Sequence, residues 1–336
     1  MKNMQKTYVK WIVGFAILVI LVGIVTISAR QPKATDNGLQ RIKVAEFGEL
    51  FLYAPMYVAQ EKGFFKEQGL DVEIFPTGGD EKTFAALLSN EAQFGVADPT
   101  FVAISGEKGQ PGKIIAPIVQ GVPFWGVAKA QRDVQIKQPS DLGSYKVATF
   151  PSPSTAYTLQ KNMFVSGGLK PNIQETAFGS LLAALAADKV DIALELEPNV
   201  SLAVKNGDKI AYRLADYYPQ FALTGLSVLP DYLGKHPDVA QKMVNALGKS
   251  FAFIRENPEE TAKILHKRFP EVDEDVALSA VKNLVDANVF PKQTVLEKAG
   301  WDAAIQLRRD VGDLKGDAPY EKYVVTDFAQ KYESSK

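Results

Sequence analysis

Cysteine is absent from the 336 residues of this chain, which excludes disulfides, thiolate nucleophiles, cysteine metal sites and a lipid-modified cysteine anchor. Histidine occurs only twice, at His236 and His266, both in a helical C-terminal region, and each reads as a surface or packing residue rather than a catalyst. The sequence also lacks a G-x-S-x-G elbow, a Walker A loop, an H-E-x-x-H helix and a G-x-G-x-x-G fingerprint. The formal net charge is -1, and no lysine- or arginine-rich run carries interleaved aromatics, so a nucleic-acid partner is not expected. What remains is an ordinary globular composition, 46% hydrophobic and 23% charged, in a chain long enough for two lobes each with its own core.

The amino terminus carries the one long apolar run. Lys2, Lys6 and Lys10 precede the uncharged residues 11–29, and Arg30 and Lys33 follow. As a helix this run is about 28 Å long, close to bilayer thickness. The positive start predicts a cytoplasmic amino terminus and an exported remainder, whether residues 1–30 are a cleaved signal peptide or an uncleaved anchor. Either way the globular part is expected on the periplasmic or extracytoplasmic side. Residues 31–40, with Pro32, Asp36, Asn37 and Gly38, read as a linker.

Beyond it, strands and helices alternate, which predicts a parallel α/β sheet. The segment APMYVAQEKGFFKEQGLDVEIFPT, residues 54–77, follows a strand. Pro55 suits a helix start, Gly63 a helix stop, and Leu70, Val72 and Ile74 recur with the period of two of a strand. PSDLGSYKVATF at 139–150, LELEP at 194–198 and IRENPEETAKIL at 254–265 follow in order. Together these segments resemble the substrate-binding proteins of ABC importers in the nitrate, sulfonate, taurine and thiamine-precursor group, over most of the chain from about Arg41 onward. The resemblance implies a two-lobed type II periplasmic binding protein fold, with a hinge, an interlobe cleft and one hydrophobic helix ahead of it. It also implies a small-molecule ligand, an ABC permease in the membrane as partner, and transport rather than catalysis.

An internal duplication supports two lobes. AALLSNEAQFGVADP at 85–99 aligns with AALAADKVDIALELEP at 183–198 with one inserted residue, and each reads helix, turn, buried strand, then acid and proline. Asp98 and Glu197 thereby stand at equivalent carboxyl ends of strands, the edge at which open α/β sheets bind ligands. Residues 41–126 and 223–332 are assigned to the first lobe and 127–222 to the second. Crossings are expected near 124–129 and 221–228, and the helices at 237–256, 259–268, 273–287, 295–311 and 324–332 are expected to cover the first lobe. A monomer is expected.

The loops at those strand ends supply the candidate ligand contacts. Ser152, Ser154 and Thr155 lie at a helix start, where backbone N–H groups and hydroxyls can hold a sulfonate, nitrate or carboxylate without a cation; Ser154 reads either as a cap alone or as a cap that also touches ligand. Gly78 and Gly79 allow close backbone approach or simply form a turn capped by Asp80. Asp98 and Glu197 are caps or ligand contacts. Glu49 is placed to meet an amine, and Phe51, Tyr53, Phe124, Trp125, Phe150 and Tyr157 offer stacking surfaces. Because these loops contain no arginine, lysine or histidine, a bare inorganic anion is disfavoured, leaving an organic sulfonate or a pyrimidine-like aromatic. No cofactor, metal or catalytic residue is expected. Two other readings stay open: an enzyme on the same fold, related to pyrimidine synthases, and a membrane-tethered receptor that presents ligand to a sensor.

Overall fold

The computed structural model describes residues 38–336. The hydrophobic run at 11–29 and most of the expected linker lie outside the described residues. Among the described residues no helix is long and apolar enough to cross a membrane.

Ten strands form two separate five-stranded sheets. The first contains β1 (Gln40–Glu46), β2 (Leu70–Pro76), β3 (Phe94–Ala97), β4 (Lys113–Gln120) and β10 (Ala222–Val228), in the order β2-β1-β3-β10-β4. The second contains β5 (Trp125–Ala128), β6 (Val147–Thr149), β7 (Ile173–Glu175), β8 (Ile192–Glu195) and β9 (Lys209–Arg213), in the order β7-β6-β8-β5-β9. Each sheet is parallel apart from the strand that arrives from the other: β10 runs antiparallel to β3 and β4, and β5 runs antiparallel to β8 and β9. The chain thus leaves the first sheet after Gln120 and returns to it at Ala222. Trp125 and Gly126, grouped above with the first unit, instead pair with Glu195, Arg213, Leu194 and Tyr212, so they belong to the second sheet.

Fully buried strands explain the apolar runs. All four residues of β3, β5 and β8 are buried, as expected for strands covered on both faces by helices. Helix α1 (Ala54–Glu61) buries Ala54 through Ala59, and the chain turns out of it at Gly63, whose φ of 77° is the left-handed conformation that favours glycine. Pro55 is the second helical residue rather than the first. Four further helices serve the cleft: α2 (Asp80–Leu88), α3 (Phe101–Glu107), α4 (Thr155–Ser166) and α5 (Asn199–Lys205).

The C-terminal helices do more than cover the first sheet. They include α6 (Pro237–Glu256), α7 (Pro258–Arg268), α8 (Glu274–Asp286) and α9 (Lys298–Asp310). Helix α6 buries Val239, Met243, Val244, Leu247, Phe251 and Ile254 on one stripe, and Ser250 Oγ donates to Pro55 O of α1 at 2.7 Å. Yet α8 and α9 also reach the second lobe. Asn283 Nδ2 donates to Glu197 at 2.8 Å, and Arg308 Nη1 to Thr158 at 3.0 Å. An amphipathic helix that buries one face on the first sheet can thus offer its polar edge to a second neighbour.

Candidate functional site

Two cavities lie where the lobes face each other. The inner one, of about 40 Å³, is walled on the first-lobe side by Phe47, Leu50, Tyr53, Asp80 and Thr224, and on the second-lobe side by Phe150, Ser154, Thr155 and Leu196, with Phe124 from the crossing. The outer one, of about 310 Å³, is walled by Glu49, Phe51 and Phe269 facing Phe178, Glu195, Glu197 and Leu202. Leu50 and Leu196 contribute to both and so form the partition between them. An inner space of this size holds one or a few waters, so a solute enters it only if the lobes separate.

Aromatic rings run along the second-lobe wall from one cavity to the other. Phe124 meets Phe150 edge-on with centroids 6.5 Å apart, and Phe150 meets Phe178 at 5.4 Å. Across the cleft Phe51 lies 5.0 Å from Phe269, which in turn lies 6.0 Å from Tyr57.

The polar groups are held by position in the fold. Ser154 caps α4, accepting from Tyr157 N at 3.3 Å. Thr155, the first residue of α4, donates its hydroxyl to Asp98 Oδ2. Asp98 follows β3, and its Oδ1 accepts from Thr100 N at 2.8 Å and from the Thr100 hydroxyl at 2.6 Å. Asp80 does not cap α2 with its side chain; Oδ1 instead accepts from Asp98 N at 2.8 Å, because burial leaves that carboxylate no water to bond. Burial, together with the nearby charge of Asp98, raises its pKa.

Arg308 is the residue sequence reasoning missed. Its side chain is 1% exposed and reaches Asp98 Oδ2 at 2.8 Å, Asp313 at 2.8 Å, Pro153 O at 3.0 Å, Thr158 at 3.0 Å and Thr100 at 3.2 Å. The absence of cations from the strand-end loops holds in sequence but not in space. Every donor of this guanidinium is already engaged, so it braces the lobes rather than offering a free charge. A second cation, Arg268, pairs with Glu49 at 2.9 Å and stacks over Tyr57 at 3.9 Å; the Glu49 carboxylate expected to meet an amine is therefore already paired. The Tyr57 hydroxyl donates to buried Glu46, 3.0 Å from both carboxylate oxygens.

Of the candidate contacts, Tyr53, Phe124, Ser154 and Thr155 line the inner cavity, and Glu49, Phe51 and Glu197 the outer one. Gly78, Gly79, Asp98, Trp125, Ser152 and Tyr157 line neither. Trp125 is buried within the second sheet, and Ser152 uses its backbone N–H to bond Glu175 at 2.9 Å. Glu197 is expected to cap α5 with Pro198 as its first residue, but Pro198 holds the cap position, and Glu197, one residue earlier, accepts from Ser201 N and Oγ in the first turn, each at 3.0 Å. His266 bonds Val272 O at 2.7 Å and His236 packs on Tyr232 at 4.6 Å; neither lines the cleft.

Two α/β sheets joined by two crossings, with strand ends and helix starts converging on an aromatic cleft, define the type II periplasmic binding protein fold. The chain belongs to the NMT1/THI5-like family, whose profile matches residues 51–261. It is 27% identical over 310 residues to YtlA of Bacillus subtilis, provisionally named a binding protein, covering 90% of this chain and 92% of that one. It is 23% identical over 226 residues to the riboflavin-binding protein RibY of Chloroflexus aurantiacus, covering 65% and 63% respectively. Among solved structures it resembles the ligand-binding component of an ABC-type import system from Staphylococcus aureus, with a TM-score of 0.70, 17% identity, and coverage of 87% and 98%. It also resembles the periplasmic nitrate-binding protein NrtA of Synechocystis, with a TM-score of 0.68, 17% identity, and coverage of 88% and 89%.

Proposed function

We propose that this chain is the extracytoplasmic solute-binding component of an ABC importer, which captures a small organic solute between its lobes and delivers it to a membrane permease. The observation that carries this reading is the inner cavity, whose walls come from both lobes and combine Tyr53, Phe124 and Phe150 with the start of α4. A solute bridging such a cleft stabilises the closed arrangement by its differential contacts, and closure creates a surface that a permease can distinguish. Family membership and the likeness to YtlA support the reading.

The wall chemistry favours an organic sulfonate or a planar pyrimidine-like or larger aromatic solute over a bare inorganic anion. Rings supply stacking area, and the one guanidinium at the inner cavity's edge is fully occupied by protein partners. The riboflavin named for RibY falls within that range, whereas the nitrate named for NrtA is a bare inorganic anion and falls outside it. The protein acts as a monomer held outside the cytoplasm, and the run at 11–29 is its leader or tether.

Thermal unfolding of the full chain against alkyl and aryl sulfonates, nitrate, pyrimidines, flavins and aromatic carboxylates tests this. A solute at a hundred times its dissociation constant adds about 2.7 kcal/mol. One chemical class should stabilise the protein clearly; uniform silence across the panel would contradict the reading.

A further inference from the structure

The outer cavity contains an unspent hydrogen-bond acceptor. Glu195, at the end of β8, is 1% exposed and forms part of the wall. Its Oε2 accepts from Leu196 N and from Asn199 Nδ2, each at 3.2 Å, while its Oε1 meets no donor in hydrogen-bond geometry, although the backbone N–H of Leu182 also favours the ionised carboxyl. A buried acceptor left unpaired costs about 1–3 kcal/mol, a cost that a bound donor would relieve. The other carboxylates of this wall are differently placed. Glu49 is paired with Arg268 and Asp273 with Lys205, Glu197 is bonded by Ser201 and Asn283, and Glu271 is exposed to solvent rather than buried. No lysine, arginine or histidine lines the cavity.

We propose that the outer cavity is a second subsite of the cleft, taking a planar cationic group that bears N–H donors, an aryl amidinium or its like, with Glu195 as the acceptor. This deepens the solute-binding reading and rests on it. Two observations select that chemistry. The wall carries carboxylates and no basic side chain, which favours a cationic group over an anionic one. Phe51 and Phe178 face the cavity from opposite lobes, a setting in which a planar cation is held over ring faces. An amidinium offers Oε1 an N–H donor that carries positive charge, and such a charge-assisted bond is stronger than a neutral hydrogen bond. Burial pushes the Glu195 carboxyl up to about 7, and a cation bound beside it would favour its ionised form.

Benzamidine and its uncharged isostere benzamide are the probes, titrated calorimetrically into the full chain. Benzamidine should bind at least about tenfold more tightly than benzamide, and Glu195→Gln should bring the two within about twofold of each other, a difference of about 1 kcal/mol. A second variant, Leu202→Trp, fills the cavity from the α5 side without touching the carboxylate and should weaken benzamidine by a similar factor. Equal binding of the two probes, a preference that survives Glu195→Gln in a protein with unchanged circular dichroism, or no benzamidine binding at millimolar concentration would each overturn the subsite. If other solutes still stabilise the protein, only the subsite falls; if none does, the solute-binding reading falls with it.

Discussion

Arg308 and Asp98 stand 210 positions apart in sequence and 2.8 Å apart in space, with side chains 1% and 2% exposed. The pair joins the last long helix of the chain to the end of β3, and the same guanidinium donates to Pro153 O and Thr158 in the second lobe. It therefore braces the lobes in the arrangement in which the inner cavity is small.

Removing one partner of a buried, hydrogen-bonded ion pair leaves the other charge uncompensated. Arg308→Met should destabilise the protein by about 3–5 kcal/mol in urea denaturation. Adding Asp98→Asn should recover part of that loss, because the orphaned carboxylate is then gone. Additive losses in the double variant would show that the two residues do not act as a pair.

Glu46 gives a pH signature of definite sign. Burial is the largest influence and moves its pKa from 4.5 up to about 8, against the lowering effects of the Tyr57 hydroxyl and Arg268 and with a small raising effect from Glu49. The folded state therefore holds this proton more tightly than the unfolded chain. The resulting stability is complete below about pH 4.5 and is lost as pH rises toward 8, at up to about 1.4 kcal/mol per pH unit. Glu46→Gln should flatten this fall and make the variant the more stable protein at pH 8; parallel stability–pH curves for the two proteins would sink the assignment.

Gly126 sits in β5 against Tyr212, and a Cβ there would lie 2.1 Å from the tyrosine ring. That ring is fixed by a 2.6 Å hydrogen bond from its hydroxyl to Gln160. Gly126→Ala should cost about 1–3 kcal/mol or more through overpacking, while Gly126→Ala with Tyr212→Leu should restore much of it. An alanine variant with wild-type melting behaviour would show that the ring has room to move.

The two-sheet architecture was legible because local signals agree along the chain. The helix-stop Gly63, the alternation from Leu70, and the duplicated pattern ending at Asp98 and Glu197 each specify short-range structure, and the α6 stripe keeps its period for five turns. The aromatic walls were legible in part: Tyr53 and Phe124 follow from their position at strand ends, whereas Trp125 turned into the second sheet because a strand's alternation sends neighbouring side chains to opposite faces. Arg308, Arg268 and the Asp80–Asp98 link were not legible. Pairing of Arg308 and Arg268 with loops some 200 residues earlier, and a side chain-to-backbone bond between two different loops as at Asp80 and Asp98, leave no periodic mark in one sequence. The leucine partition at Leu50 and Leu196 has the same origin, since nothing local to either residue says that the other faces it.

The account rests on a solute held between the lobes and released unchanged. Calorimetric titration of the full chain with a solute that raises its melting temperature, followed by chemical analysis of the recovered solute, tests this most directly, with Phe124→Leu as the comparison. The account predicts one site per chain, weaker binding in Phe124→Leu, a negative heat-capacity change from burial of apolar walls, and intact solute at the end. Binding unaffected by Phe124→Leu would place the site elsewhere, and a solute consumed by the protein would make the chain an enzyme.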